Sequence, residues 1–168
     1  MRYIFEDDFV PTENFDKKRT EARKALKSIA EKVLGYKLDD NVLFVGTSGR
    51  YEYKNKGIDV FIDSMDLIAK SNTKKEIVAF LAIPAYTSEY RFASKQKDAQ
   101  NEGQIYATHR LHYEDQDKIL NSIKWHQFSN KKEDNLKIIF IPSYLEKNDG
   151  IFKVTTEEGS IHEGKSVI

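Results

Sequence analysis

The sequence predicts an α/β fold built on a parallel β-sheet, and three observations indicate it. Short apolar runs at 41–46, 76–84 and 136–142 have the length and composition of buried strands. Helical patterns with one apolar face lie before the first run and between successive runs. The order strand, helix, strand, helix, strand is typical of right-handed βαβ units. A three-layer α/β domain with at least three parallel strands is therefore expected.

The first helix is predicted over residues 17–34. Apolar residues recur there at intervals of three and one, which places them on one stripe while Lys and Arg fill the other face. Asn14 or Asp16 is expected to cap the start, and Gly35 stands where a left-handed C-cap residue belongs. This helix should cover one face of the sheet.

The other helices are predicted from the same periodicity. A second helix should begin after Gly57. Its apolar face comprises Ile58, Phe61, Ile62, Met65, Ile68 and Ala69, and its opposite face carries Asp59, Asp63 and Asp66. A third helix is predicted over 115–128, with Ile119, Leu120 and Ile123 turned inward. Residues 86–108 show no clear pattern, although 93–100 has the composition of a short helix.

Composition limits the function classes. A chain of 168 residues with 39% hydrophobic residues suits one domain, 1–168, whose polar end at 153–168 is expected to fray. Because 27 basic residues balance 27 acidic ones, no electrostatic footprint for nucleic acid or an acidic membrane is expected. The absence of cysteine excludes disulfides and thiolate chemistry. No run approaches the ~20 apolar residues of a membrane span, and no signal peptide is apparent, so a cytoplasmic location is expected.

The loop after the first predicted strand, 46–57 (GTSGRYEYKNKG), is the main candidate site. In an open parallel sheet, ligands bind beyond the carboxyl ends of the strands. Gly49 and Gly57 would let the backbone approach a ligand, and the helix that starts near Gly57 would offer amide donors. Arg50 and Lys56 supply the cations that phosphate oxygens favour. The pattern predicts a phosphate site, with a solvated turn as the alternative, because it matches neither GxGxxG nor a P-loop.

Residues 48–63 (SGRYEYKNKGIDVFID) resemble the GRYE(F/Y)xNKGxDxF segment of the glycogen synthases of glycosyltransferase family 3. Further similarity follows in the same chain order. It comprises 77–85 (IVAFLAIPA), 107–111 (ATHRL), 137–145 (KIIFIPSYL) and 148–152 (NDGIF), and the NDGIF loop and DFVP at 8–11 are similar to bacterial members. The resemblance runs from about residue 6 to residue 152, most of the chain.

The resemblance implies a Rossmann-like parallel sheet with flanking helices, as in the second, donor-binding domain of a GT-B type enzyme. Members of this family transfer glucose from UDP-glucose to an α-1,4-glucan with retention, without a metal or other cofactor. The chain is similar only to the opening part of that domain. Because the acceptor-binding domain and the later EPWGYTP loop with its paired glutamates have no counterpart here, we expect a fragment that contains no catalytic residue and is inactive alone.

By the resemblance, Arg50 and Lys56 match the arginine and lysine that hold the donor diphosphate. The supporting loop residues are Gly49, Glu52, Asn55 and Gly57, of which Glu52 and Asn55 are expected to orient the two cations. Four further residues are expected near the nucleotide sugar: His109, Arg110, Ser143 and Tyr144.

Two other patterns are weaker. His109 and His112 are three residues apart, but no carboxylate at helical spacing completes a ligand set, so no metal site is predicted. The D-x-D pattern at 115–117 occurs in metal-dependent transferases, yet its position at a predicted helix start favours N-capping. A nucleotidyltransferase is disfavoured because its two-metal chemistry requires an Asp-x-Asp pair on the following strand. A non-catalytic module that binds a nucleotide or a partner remains the alternative to a synthase fragment.

Overall fold

The structure, a computed structural model, describes residues 12–71, 73–91 and 104–144. The helices are α1 (Thr12–Leu34), α2 (Ile58–Lys70) and α3 (Lys118–Trp125). The strands are β1 (Leu43–Ser48), β2 (Ile77–Ala82), β3 (Thr87–Tyr90), β4 (His109–Leu111) and β5 (Leu136–Ile141). A 3₁₀ turn, Glu114–Gln116, precedes α3.

Three strands form a parallel sheet in the order β1-β2-β5. Leu43 pairs with Ile77, and Ile77 pairs with Leu136, so all three strands begin at the same level and their carboxyl ends share one edge. This arrangement confirms the predicted parallel α/β fold. The two crossovers contain α2 and α3 respectively.

The helices lie on both faces of the sheet. Alternate residues of β2 point to opposite faces. Val78 and Phe80 pack with the Ile29–Val33 stretch of α1, whereas Ala79 and Leu81 pack with apolar residues of α2 and α3. The predicted inward residues of α3, Ile119, Leu120 and Ile123, are at most 2% exposed. The three layers and the sheet-facing helix stripes are therefore confirmed.

The helix ends differ in part from prediction. Gly35 takes a positive φ of 78°, and its amide donates to Glu31 O at 3.0 Å, as predicted for the C-cap of α1. The start was wrong: α1 is already helical at Thr12, so Asn14 and Asp16 lie inside it and cannot be its N-cap. Helix α3 begins later than expected, because 3₁₀ geometry occupies Glu114–Gln116 first.

Two burial predictions were also wrong. Strand β1 was expected to be buried, yet Leu43 is 39% exposed, because within the described residues β1 has a strand neighbour on the β2 side only. Strand β5 is buried throughout, since residues 106–108 cover its other edge through hydrogen bonds to Phe140. Asp66, expected on the solvent face of α2, is 8% exposed and contacts both Lys70 and His126.

The stretch that gave no pattern contains β3, which pairs with β4 as an antiparallel ribbon. Four sequence predictions lie outside the described residues: the helix at 93–100, the tail at 153–168, and the similarities at 8–11 and 148–152. No helix among the described residues is long and apolar enough to cross a membrane.

Candidate functional site

A cleft of about 930 Å³ lies at the carboxyl edge of the sheet, where parallel α/β sheets bind their ligands. Its floor comes from residues that directly follow β2 and β5, namely Pro84, Ala85, Pro142, Ser143 and Tyr144. One wall comes from Tyr51 and Tyr53 in the loop after β1. The other walls come from residues next to β3 and β4 and from the start of α3, including Tyr86, Thr87, Ser88, Tyr113, Gln116, Asp117 and Lys118.

The loop between β1 and α2 is folded on itself. The Lys56 amide donates to Glu52 O at 2.9 Å, and the Gly57 amide donates to Lys54 O at 3.0 Å. Gly57 then adopts a left-handed conformation with φ 63° and ψ 29° as α2 begins, a geometry that favours glycine. The loop is therefore a short series of turns with one required glycine at its end.

Tyr51 fastens this loop to the start of α3. Its hydroxyl donates to Asp117 Oδ2 at 2.7 Å and accepts from the Ile119 amide at 3.2 Å. The second carboxylate oxygen of Asp117 accepts from the Leu120 amide at 2.8 Å, which confirms the predicted N-capping at 115–117. Burial, followed by the carboxylate of Asp117, raises the pKa of Tyr51. One phenol thus joins two elements that are 66 residues apart.

Arg50 stands next to this anchor and extends into solvent. Its Nε lies 3.1 Å from Glu52 Oε1, and its side chain is 80% exposed. The orienting role of Glu52 stays a prediction. Asn55 and Lys56 are exposed on the same loop. The two cations proposed for phosphate therefore stand beside the cleft and do not form its walls.

The amide donors expected at the start of α2 are engaged within the chain. The Ile58 and Asp59 amides both point to Tyr53 O, at 3.1 and 3.4 Å. Asp59 also pairs with Lys54 at 2.6 Å, and the hydrogen bond from Lys54 lowers the pKa of Asp59. The Asp59 carboxylate therefore already lies in the first turn of α2, where its negative charge interacts favourably with the positive end of the helix dipole. The expected anion site at this helix start is not formed.

Of the four residues predicted near the nucleotide sugar, the structure brings only Ser143 and Tyr144 into the cleft. His109 is 1% exposed, with Nδ1 2.9 Å from Thr108 Oγ1, and burial lowers its pKa. Arg110 borders a separate groove of about 460 Å³, which Arg91 and Lys124 also line. Among the described residues, no group of three or more side chains could hold a metal ion.

Comparison with known proteins identifies the segment that contains this loop. Residues 26–102, just under half of the chain, match the glycogen synthase family model. Over this segment the chain is similar to the glycogen synthases.

Individual relatives agree with that match. The glycogen [starch] synthase of Dictyostelium discoideum is 44% identical over 59 residues, which are 33% of this chain and 7% of the relative. Isoform 1 from Saccharomyces cerevisiae is 46% identical over 55 residues, or 30% of this chain and 8% of the relative. Isoform 2 is 24% identical over 185 residues, or 71% of this chain and 26% of the relative. The chain therefore spans less than a tenth of the first two relatives' length and about a quarter of the third's.

Four of the five tyrosines that line the cleft are residues that sequence reasoning missed. Tyr51, Tyr53 and Tyr86 fall within the segment that matches the family model, while Tyr113 and Tyr144 lie beyond it. Only Tyr144 was singled out from the sequence. The positions of two of the missed tyrosines in the sequence could have indicated a site. Tyr86 directly follows the Pro-Ala pair that ends a predicted strand, and Tyr51 adjoins the cation Arg50.

Proposed function

We propose that this chain is the opening part of the donor-binding second domain of a glycogen synthase of glycosyltransferase family 3, similar to bacterial members. Its loop between β1 and α2 would hold the diphosphate of the sugar donor through Arg50 and Lys56. The complete enzyme would transfer glucose from UDP-glucose to an α-1,4-glucan with retention, in the cytoplasm. The observation that carries the proposal is the position of the SGRYEYKNKGIDVFID motif, whose loop borders the cleft at the carboxyl edge of the parallel sheet.

The proposed chemistry follows from charge. When the glucosyl bond breaks, negative charge develops on the departing diphosphate. Cations that are already in position stabilise this charge better than water does, because they need not reorganise during the reaction. Arg50 is suited to this role since Glu52 holds its Nε at 3.1 Å and leaves the other guanidinium nitrogens to a ligand. Loss of one preorganised donor typically lowers the rate by ~10²–10³-fold.

The isolated chain should bind donor weakly and transfer no glucose. Arg50 is 80% exposed, and an ion pair in such surroundings contributes only about 0–1 kcal/mol. We therefore expect UDP to bind with a dissociation constant on the order of 1 mM. Affinity should fall as salt is added, because exposed charges are screened.

The test is a titration of UDP followed by amide chemical shifts of residues 46–57. Arg50→Ala, Lys56→Ala and Arg50→Lys should each weaken binding, the last because a lysine loses the two-pronged contact. Lys75→Ala is the matched control, since Lys75 is an exposed cation just before β2, at the opposite edge of the sheet. Binding that is unchanged in the loop variants, or weakened as much by Lys75→Ala, would contradict the diphosphate assignment.

A further inference from the structure

Three aromatic rings form an exposed group on the rim of the cleft. Tyr86 and Tyr113 are 70% and 66% exposed, and their ring planes differ by only 18°, with centroids 6.4 Å apart. The His112 ring packs on Tyr86 at 4.3 Å. Large aromatic side chains left this exposed beside a cleft are typical of binding surfaces. We call Tyr86, His112 and Tyr113 the ring platform.

The β3–β4 ribbon holds the ring platform in place. Tyr86 directly precedes β3, and the other two rings directly follow β4. Thr87 pairs with Leu111, and the His112 amide donates to Tyr86 O at 3.1 Å. Backbone hydrogen bonds thus bring together rings that are 26 and 27 residues apart in sequence. The platform is therefore formed by the fold before any ligand arrives.

Among the described residues near the platform, the charges balance one another. Glu114 is paired with Arg91 at 2.8 Å, and the carboxylate of Asp117 already accepts from the Tyr51 hydroxyl and the Leu120 amide. The two remaining charges, on Asp115 and Lys118, are exposed and of opposite sign. A balanced surface suits a neutral ligand better than an anion such as phosphate. Pyranose rings are neutral, carry many hydroxyls and present C–H groups that suit the negative face of an aromatic ring. The local chemistry therefore favours a sugar.

We propose that the ring platform binds pyranose units of an α-glucan chain. This inference rests on the proposed function, because it assigns the platform to the acceptor of the same enzyme. The cations Arg50 and Lys56 would take the charged donor, while Tyr86 and Tyr113 would stack on the neutral glucan. The two ligands would then occupy different parts of one cleft edge according to their charge.

The experiment titrates the full chain with maltoheptaose, an α-1,4-linked glucose heptamer, and follows amide chemical shifts. The largest shifts should fall on residues 86–88 and 111–113. Tyr86→Ala and Tyr113→Ala should each weaken binding about 2- to 10-fold, and Tyr86→Phe should retain it because the ring remains. Trp125→Ala is the matched control, since Trp125 is 83% exposed at the far end of α3.

Three results would overturn the assignment to glucan. These are no shifts with maltoheptaose in these segments, equal weakening by Trp125→Ala, or shifts of Tyr86 and Tyr113 with UDP but not with maltoheptaose. The donor proposal is judged separately. If Arg50→Ala weakens UDP binding but Tyr86→Ala leaves maltoheptaose binding unchanged, only the platform assignment is refuted. If Tyr86→Ala weakens maltoheptaose binding but Arg50→Ala leaves UDP binding unchanged, only the diphosphate site is refuted.

Discussion

Replacing Tyr51 with phenylalanine tests how the loop between β1 and α2 is held. The change keeps the ring and removes only the hydroxyl, which donates to Asp117 and accepts from the Ile119 amide. Asp117 is 9% exposed, so its Oδ2 would be left with little access to water after the substitution. The variant therefore isolates a single polar link between the loop and α3.

The expected loss follows from the partners of the hydroxyl. A hydrogen bond to a charged group contributes about 1.5–3 kcal/mol, and a neutral one about 0.5–1.5 kcal/mol. Because the bond to Asp117 is charge-assisted and short, we expect Tyr51→Phe to lower the free energy of unfolding by about 2 kcal/mol. For a domain of this size, that corresponds to a melting temperature lower by roughly 4–8 °C. The destabilisation caused by Tyr51→Phe should also depend on pH, since the pKa of Tyr51 is raised in the folded state. The Tyr51 hydroxyl contributes fully to stability below its ordinary pKa of 10.0, and this contribution declines as pH rises above that value.

Thermal and urea unfolding of the full chain measure this loss. Tyr36→Phe is the matched control, because its hydroxyl donates to the neutral Asn130 carbonyl at 2.9 Å. Tyr86→Phe, at a 70% exposed position, should change nothing. We expect the cost to rank Tyr51 above Tyr36 above Tyr86. A Tyr51→Phe variant as stable as the Tyr86→Phe variant would refute the anchoring role.

Three further predictions concern stability. Gly57→Ala should cost about 1 kcal/mol, measured by urea unfolding, because an L-residue is strained at φ 63°. The pKa of Asp66 is lowered, first by the hydrogen bond from Lys70, so its contribution is present above the ordinary value of 3.8 and is lost as pH falls through the lowered pKa. Asp66→Asn should therefore reduce stability at pH 7 and flatten its acid dependence in circular dichroism. Lys137→Met should cost about 2–4 kcal/mol in urea unfolding, because Lys137 is 1% exposed and its loss leaves the Glu76 carboxylate without its partner at 2.5 Å.

Local patterns predict most of the secondary structure, for physical reasons that act within one element. Contacts or dihedral preferences of residues a few positions apart account for three such features. These are the apolar stripe of α1, the left-handed conformation of Gly35, and the apolar runs of β2 and β5. The cap at Asp117 is likewise local, since its carboxylate reaches an amide three residues on. The SGRYEYKNKGIDVFID motif also needs only its own residues to be identified.

Contacts between distant segments determine which residues are buried and which line the cleft, and the periodicity of the sequence does not reveal these contacts. A run such as LFVG has the same composition at an edge as in the middle of a sheet, so the exposure of β1 follows only from which strands pair. The link from Tyr51 to Asp117 spans 66 residues, and the ring platform joins Tyr86 to Tyr113 through strand pairing. His109 and Arg110 are adjacent in sequence, yet one is buried and the other borders a second groove, because successive residues of a strand face opposite sides. Pairing between distant segments, which the chain acquires only on folding, therefore determines which residues share a site.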